Sequence, residues 1–271
     1  MPVPGLTAWR GQFDRNFPLT IIVMAETQDT KLIIRVIARG GKFLGNDIGG
    51  ALITVRDAQT GELLASGRTH GTSGPITVMN QALLRTQSIP TVDTTVKPPA
   101  EACHFDVTLP LSRPRLLEVT AYGPLAAPQG AHTVTTTHWI YPGLPQDAGD
   151  GLVIEIPGLL VQILNPPTHF LPTAIPSNKI DIRANVTMMC GCPITPDNFW
   201  TPFDFVVRAT IVERDAVIAG FDLDFDTKVN YPSQYVKSWT APSQGIYELT
   251  VVAYQLSSGN TGVNTSTFIV P

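Results

Sequence analysis

Short segments in which apolar and polar residues alternate recur along most of this chain. An alternation of period two is typical of a half-buried β-strand, and 24 prolines and 22 glycines leave few windows long enough for a helix. In the first half the pattern predicts strands at residues 20–26, 31–38, 51–57, 105–111, 115–122 and 132–141. In the second half it predicts a series of strands that begins with GLVIEI and LLVQIL and ends with TSTFIV. The chain is therefore predicted to be almost entirely β.

The length of the chain and a turn-rich stretch near its middle indicate two domains. A domain typically has about 100 to 150 residues, so 271 residues are too many for one small sandwich. PGLPQDAGDG, residues 142–151, has turn residues without alternation and is the predicted linker. We predict two consecutive antiparallel β-sandwich domains, residues 1–145 and residues 146–271.

Two stretches resemble known domain families. ALITVRDAQTGELLASGRTHGTSG, residues 51–74, resembles the strand, TGE turn, strand and Gly-ended loop of transthyretin-like domains, also called prealbumin-like or carboxypeptidase-regulatory-like. SQGIYELTVVAYQLSSGNTG, residues 243–262, is similar to the late strands of bacterial immunoglobulin-like domains. In that resemblance Tyr247 is a tyrosine corner, and Leu249 stands where an antibody domain has its second cysteine. Both families imply attachment and assembly modules rather than catalysts.

Net charge and hydropathy limit the kinds of partner and the cellular compartment that the sequence predicts. The net charge of −4 leaves no basic surplus for a run of phosphates, so the sequence predicts no nucleic-acid binding. No apolar run approaches the ~20 residues of a membrane-spanning helix. The first 17 residues lack a basic segment followed by an apolar core, so no secretory signal is predicted. We expect a cytoplasmic protein, or an extracytoplasmic one if the chain is processed or exported with a partner.

The stretch VTMMCGCPIT, residues 186–195, holds two of the three cysteines. Strict alternation from Lys179 onward places Met188, Cys190 and Cys192 on the apolar face of one strand, which predicts that both thiols lie in the core. Thioether and thiolate ligands also suit Cu(I), so a copper site or a thiol redox pair is the alternative. That alternative needs a turn at Gly191 to bring the sulfur atoms together. A disulfide that involves Cys103 is a further alternative.

Three acids alternate with apolar residues in FDLDFDTK, residues 221–228. Asp222, Asp224 and Asp226 share one strand face. If the chain turned so that their oxygens converged, they would form a Ca²⁺ site. In an extended strand the three carboxylates diverge, and the sequence then predicts a solvated edge.

No complete catalytic motif is present in the sequence. It has neither a G-x-S-x-G serine elbow nor a phosphate loop that ends in GK[ST]. We therefore predict a non-catalytic structural or protein-interaction β-sandwich protein without a cofactor, with an accessory subunit of a larger assembly as one form of it. Its predicted partners are other protein chains, in a homo-oligomer or a hetero-complex. An enzyme whose site is assembled between domains or subunits, with His70, His104 or His138 as acid or base, is the remaining alternative.

Overall fold

A computed structural model describes residues 26–75, 77–78, 89, 91–95, 97, 99–169, 178–228 and 232–271. The strands of its first half are β1 Gln28–Ala38, β2 Leu52–Asp57, β3 Leu63–Arg68, β4 Val92–Asp93, β5 Ala100–Glu101, β6 Phe105–Leu111, β7 Arg115–Gly123, β8 His132–Ile140 and β9 Leu152–Ile156. Those of its second half are β10 Leu159–Asn165, β11 Lys179–Met188, β12 Phe205–Glu213, β13 Ala216–Asp222, β14 Asp224–Phe225, β15 Gln234–Thr240, β16 Gly245–Gln255 and β17 Thr261–Val270. The predicted all-β sandwich fold is confirmed. Except for Glu26, the strand predicted at 20–26 lies outside the described residues.

The first sandwich consists of a four-stranded and a three-stranded sheet. The four-stranded sheet has the order β3-β2-β7-β8 and is antiparallel throughout. The three-stranded sheet has the order β6-β1-β9. β1 pairs with β6 antiparallel, but it pairs with β9 in parallel, from Ile34 opposite Leu152 to Ala38 opposite Ile156. The sandwich is therefore antiparallel except for one pair of strands.

The pairing of β9 bears on where the first sandwich ends. The sequence places GLVIEI at the start of the second half, after a boundary at 145/146. In the structure this segment is β9, and its hydrogen bonds go to β1 of the first sandwich. The next strand, β10, pairs with β11 in the second sandwich. Residues 157 and 158 separate these two strands. The domain boundary at 145/146 stays a prediction.

The second sandwich has the strand order of an immunoglobulin-like domain. One sheet is β10-β11-β15-β14 and the other is β13-β12-β16-β17. Immunoglobulin-like sandwiches have strands A, B, E and D in one sheet and C, F and G in the other, which is the order seen here with β13 added beside strand C. Tyr247 lies on β16, which corresponds to strand F, and is fully buried. Its hydroxyl donates a hydrogen bond to Ser243 O at 2.7 Å. This is the tyrosine corner that the sequence predicts.

One apolar core cluster includes residues of both sandwiches. Hydrogen bonds cross the junction as well: Trp200 Nε1 donates to Gly40 O at 2.8 Å, and Asn260 Nδ2 donates to Arg39 O at 2.9 Å. Asn260 Oδ1 also accepts a bond from the backbone N–H of Gly158 at 3.0 Å. Because a fully buried apolar side chain contributes about 1.5 to 3 kcal/mol, a shared core holds the two sandwiches against each other.

Candidate functional site

The cysteine-rich stretch forms a tight turn at the end of β11. Gly191 has φ +74°, and its N–H donates to Met188 O at 2.8 Å. The chain then runs back, with Met188 N donating to Cys192 O at 3.1 Å. The straight alternation predicted through Cys192 is therefore wrong, because Gly191 in the left-handed region reverses the chain. The copper or thiol redox alternative requires a turn at Gly191, and this turn does form.

The burial predicted for the two thiols is confirmed. Cys190 is fully buried and Cys192 is 7% exposed. Met189, which strict alternation would place on the opposite face from Met188 and Cys190, is fully buried too. The turn packs against the first sandwich, where Cys190 Sγ lies 3.2 Å from the position that a Cβ on Gly41 would take. Contact with a second domain, which alternation within one strand does not reveal, buries both faces of this segment.

The two thiols of the turn are linked through a hydrogen bond. Burial opposes ionisation of Cys190, but hydrogen bonds from Cys192 and from the Lys42 backbone outweigh it and lower the pKa of Cys190. The hydrogen bond with Cys190, together with burial, raises the pKa of Cys192. Burial also raises the pKa of Cys103. All three cysteines are free, so the disulfide considered for Cys103 does not form in this structure.

Each of the three aspartates in the predicted calcium row pairs with a different base. Asp222 Oδ1 lies 2.8 Å from Arg208 Nε, and Asp224 Oδ2 lies 3.2 Å from Lys237 Nζ. Asp226 Oδ2 lies 2.6 Å from Arg183 Nη1. The hydrogen bond from Arg183 is the main reason that the pKa of Asp226 is lowered. The structure does not bring the three carboxylates together, and calcium binding there stays a prediction.

Two of the three candidate histidines meet at an open cleft of about 640 Å³ in the first sandwich. His70 and His104 are paired across an antiparallel bridge. The cleft is lined by Asn46, Asp47, His70, Gly71, Thr72, Ser73, Ala100, Glu101 and His104. His138 lies elsewhere, on β8, where its Nε2 contacts Gln146 Oε1.

A buried arginine positions an acid at this cleft. Arg35, 2% exposed, makes an ion pair with Glu101 through Nη2 at 2.8 Å and donates to Asp150 O through Nη1 at 3.0 Å. Burial lowers the pKa of Arg35, and the charges of Glu101 and Asp150 oppose that effect. This buried ion pair was not predicted from the sequence, although one arginine within the apolar run LIIRVIA was a signal for it.

The second sandwich carries an exposed apolar surface, which we call the apolar face. It consists of Phe203, Val206, Val252, Tyr254, Leu256 and Val263, of which Phe203 is 86% exposed. Strand register places Val206 opposite Tyr254 and Val252 opposite Val263, on the outer side of β12, β16 and β17. A cavity of about 240 Å³ adjoins it, lined by Val252 and Val263 together with Gln129 and His132 of the first sandwich.

Hydrogen bonds to one aspartate brace the end of the apolar face. Asp204 Oδ2 accepts from Ser257 Oγ at 2.6 Å and from Gln255 Nε2 at 2.9 Å. The backbone N–H of Leu256 donates to Asp204 O at 2.8 Å. Phe203 and Leu256 are thus presented from two loops that are tied to each other. The signal for this face in the sequence is IYELTVVAY in β16, which has apolar residues on both strand faces.

The described residues contain no group of three or more His, Cys, Asp or Glu side chains arranged to hold a metal ion. Within the same ranges, no helix is long and apolar enough to cross a membrane.

Comparisons with known proteins give only distant matches. No family model matches the chain, and no curated protein matches it. Among solved structures, an engineered protein is 18% identical with a TM-score of 0.30, and the match covers 48% of this chain but only 24% of that one. Fibronectin(III)-like modules of Clostridium thermocellum CbhA are 12% identical, with a TM-score of 0.27 and coverage of 89% and 93%. The chicken interferon gamma receptor alpha chain is 9% identical, with a TM-score of 0.30 and coverage of 82% and 85%. Matches this weak carry no information about function.

Proposed function

We propose that this protein is a non-catalytic interaction module that binds another protein chain through the apolar face. The observation that carries the proposal is the exposure of Phe203, at 86%, beside five further apolar side chains. Monomeric soluble proteins rarely expose a large contiguous apolar patch, and such patches mark binding surfaces.

The rigidity of the loops supports the same proposal. Binding normally costs about 0.5 to 1.5 kcal/mol for each flexible side chain that becomes ordered. Phe203 and Leu256 sit on loops that Asp204 already ties together, with bonds of 2.6 to 2.9 Å to Ser257, Gln255 and Leu256. The backbone that carries Phe203 and Leu256 is therefore already ordered, and the two side chains are expected to supply much of the binding free energy, as buried aromatic anchors do in other interfaces.

The partner is expected to present an uncharged apolar surface. None of the six side chains of the apolar face is charged, but Arg208 lies opposite Val252 in register and therefore stands within the face, where Asp222 balances its charge at 2.8 Å. An unpaired charge buried against this face would cost several kcal/mol, so a strongly acidic or basic partner surface is disfavoured. An accessory subunit that docks onto a larger assembly would use such a surface.

Aspartate substitutions at the apolar face test this proposal. Phe203→Asp and Leu256→Asp change exposed residues, so folding stability should stay within about 0.5 kcal/mol of the wild type. Val217→Asp is the matched control, because Val217 is 69% exposed but pairs with Val212, six residues or about 20 Å along β12 from Val206. The complexes formed by each chain in its own organism are compared by native mass spectrometry.

A partner chain held at fixed stoichiometry by the wild type and Val217→Asp, and lost from the two face variants, is the expected result. Equal recovery of that partner with all four chains would remove the apolar face from the proposal. A complex that contains only copies of this chain would replace the accessory-subunit form with a homo-oligomer.

The transthyretin-like resemblance and the compartment remain proposals. The hairpin of β2 and β3, joined through the predicted TGE turn, supports a transthyretin-like first domain. We expect a cytoplasmic protein, or an extracytoplasmic one after processing or export with a partner.

The copper or thiol redox alternative stays a prediction for Met188, Cys190 and Cys192. The turn at Gly191 supports it because it brings the two thiols within hydrogen-bonding reach. Their burial favours the core role instead. Thiol labelling of the native protein separates the two: fast labelling of Cys190 would favour the metal or redox role, and protection until unfolding would favour the core role.

A further inference from the structure

The cleft of the first sandwich has a pair of histidines that the proposed docking function does not use. We propose that His70 and His104 form a two-imidazole site for a divalent transition-metal ion of the nickel, copper and zinc group. Imidazole nitrogen is the ligand that these ions share. The site is distinct from the cysteine turn and from the apolar face, and it does not depend on the docking proposal.

Backbone pairing places the two imidazoles side by side. The N–H of His70 donates to His104 O at 2.8 Å, and the N–H of His104 donates to His70 O at 3.0 Å. In such a mutually bonded antiparallel pair the Cα atoms are about 5.5 Å apart and the side chains leave the same face. Both side chains line the same cleft. Their rings can therefore approach one ion at the usual metal to nitrogen distance of about 2.0 to 2.1 Å.

A hydrogen bond selects the tautomer of His104 that can bind a metal. His104 Nδ1 lies 3.0 Å from Ala102 O, and a carbonyl oxygen only accepts hydrogen bonds. The proton of the neutral ring is thus assigned to Nδ1, which leaves a lone pair on Nε2. Metal-bound histidines commonly donate their other ring N–H to a backbone carbonyl in this way.

Two acids, Asp47 and Glu101, line the same cleft as the histidine pair. Glu101 Oε1 lies 3.7 Å from His104 Nδ1, but its charge is balanced by Arg35 at 2.8 Å, so Asp47 is the acid that favours a cation here. Since the described residues hold no arrangement of three such ligands, the two imidazoles would be the protein ligands and water would complete the coordination.

Close backbone packing makes the walls of the cleft rigid. A Cβ on Gly45 would lie 2.6 Å from Ser73 N, and one on Gly71 would lie 2.8 Å from Glu101 O. Neither position accepts a side chain without movement of the backbone. The segments that carry His70 and His104 are therefore fixed by their neighbours, as a binding site with preset geometry requires.

Calorimetric titration of the untagged full chain with Ni²⁺ alone tests the proposal. Nickel is chosen because it does not oxidise the three thiols, and only five histidines occur in the chain. We expect one ion per chain, with affinity reduced at least about tenfold in His70→Ala and in His104→Ala. Both substitutions keep the backbone bonds of the pair, but His104→Ala loses the ring hydrogen bond to Ala102 O, so thermal unfolding without metal should match the wild type in His70→Ala and be slightly lowered in His104→Ala. The triple variant His132→Ala, His138→Ala, His169→Ala is the matched control and should bind as the wild type does.

Paramagnetic broadening of histidine ring signals by Ni²⁺ gives a second readout. Selective broadening of His70 and His104 would support the site. Unchanged affinity in both single variants, or loss of binding in the triple variant, would overturn it.

Discussion

Arg35 is a charged residue that is buried within an otherwise apolar strand. It interrupts the apolar run of β1, and its guanidinium is almost completely removed from water. The groups that compensate its charge, Glu101 and the backbone carbonyl of Asp150, lie 66 and 115 residues away in sequence. Alternation therefore predicts the strand, while the partners that allow a buried charge are set only by the tertiary fold.

Replacement of one buried thiol tests the packing of the cysteine turn. Cys190→Ser places a hydroxyl among apolar groups at a fully buried position and should lower the free energy of unfolding by about 1 to 3 kcal/mol. Urea denaturation measures this change. Val217→Ser, at an exposed position, should stay within about 0.5 kcal/mol of the wild type. A Cys190→Ser protein as stable as the wild type would refute the core role of this cysteine.

The ion pair of Asp226 with Arg183 makes the stability of the protein depend on pH. Its pKa in the folded protein lies below the ordinary value of about 3.9, chiefly because of the hydrogen bond from Arg183. A carboxylate with a lowered folded-state pKa stabilises the protein above the unfolded pKa, and this stabilisation is lost as the pH falls through the folded pKa. Asp226→Asn should therefore be less stable than the wild type at pH 7, with a difference that shrinks below about pH 4.

Denaturation curves of wild type and Asp226→Asn between pH 2 and pH 7 measure that difference. Asp224→Asn is the control, because the ion pair of Asp224 with Lys237 is exposed and contributes little. If the difference in free energy of unfolding between the wild type and Asp226→Asn stayed constant across this pH range, the assigned role of the ion pair would be contradicted.

At the scale of elements, local sequence determines most strands but not their partners. The predicted segments 105–111 and 115–122 coincide with β6 and β7 to within one residue, because alternation against a core is a local property. The parallel pairing of β9 with β1 was missed, since it joins segments more than 100 residues apart. The pairing of His70 with His104 was missed as well, because two residues in separate segments are brought opposite each other only by the tertiary fold.

The turn at Gly191 allows a direct test of an element boundary. Gly191 has φ +74°, and a Cβ there would come no closer than 3.4 Å to Ile48 Cδ1, so the cost of a side chain is conformational. Gly191→Ala should destabilise the protein by about 1 to 2 kcal/mol in urea denaturation. Gly220→Ala is the matched control, because Gly220 lies in β13 with open space around it and should be neutral or slightly stabilised. Equal stability of the two variants would mean that the turn does not require a left-handed backbone conformation at residue 191.

At the scale of the whole molecule, the contacts between the two sandwiches lie next to the apolar face. Trp200 and Asn260 tie the second sandwich to the loop at Arg39 and Gly40, and their segments adjoin those that present Phe203 and Leu256. The cavity beside Val252 and Val263 is completed by residues of the first sandwich. The docking surface is therefore expected to need both sandwiches in place.

Carbene footprinting of the native complex, compared with the isolated chain, tests the docking proposal most directly. We expect labelling of Phe203, Tyr254 and Leu256 to fall in the complex, while labelling of Val217 is unchanged. A complex in which the apolar face is labelled as fast as in the isolated chain would contradict it, and so would a native protein that carries no partner chain.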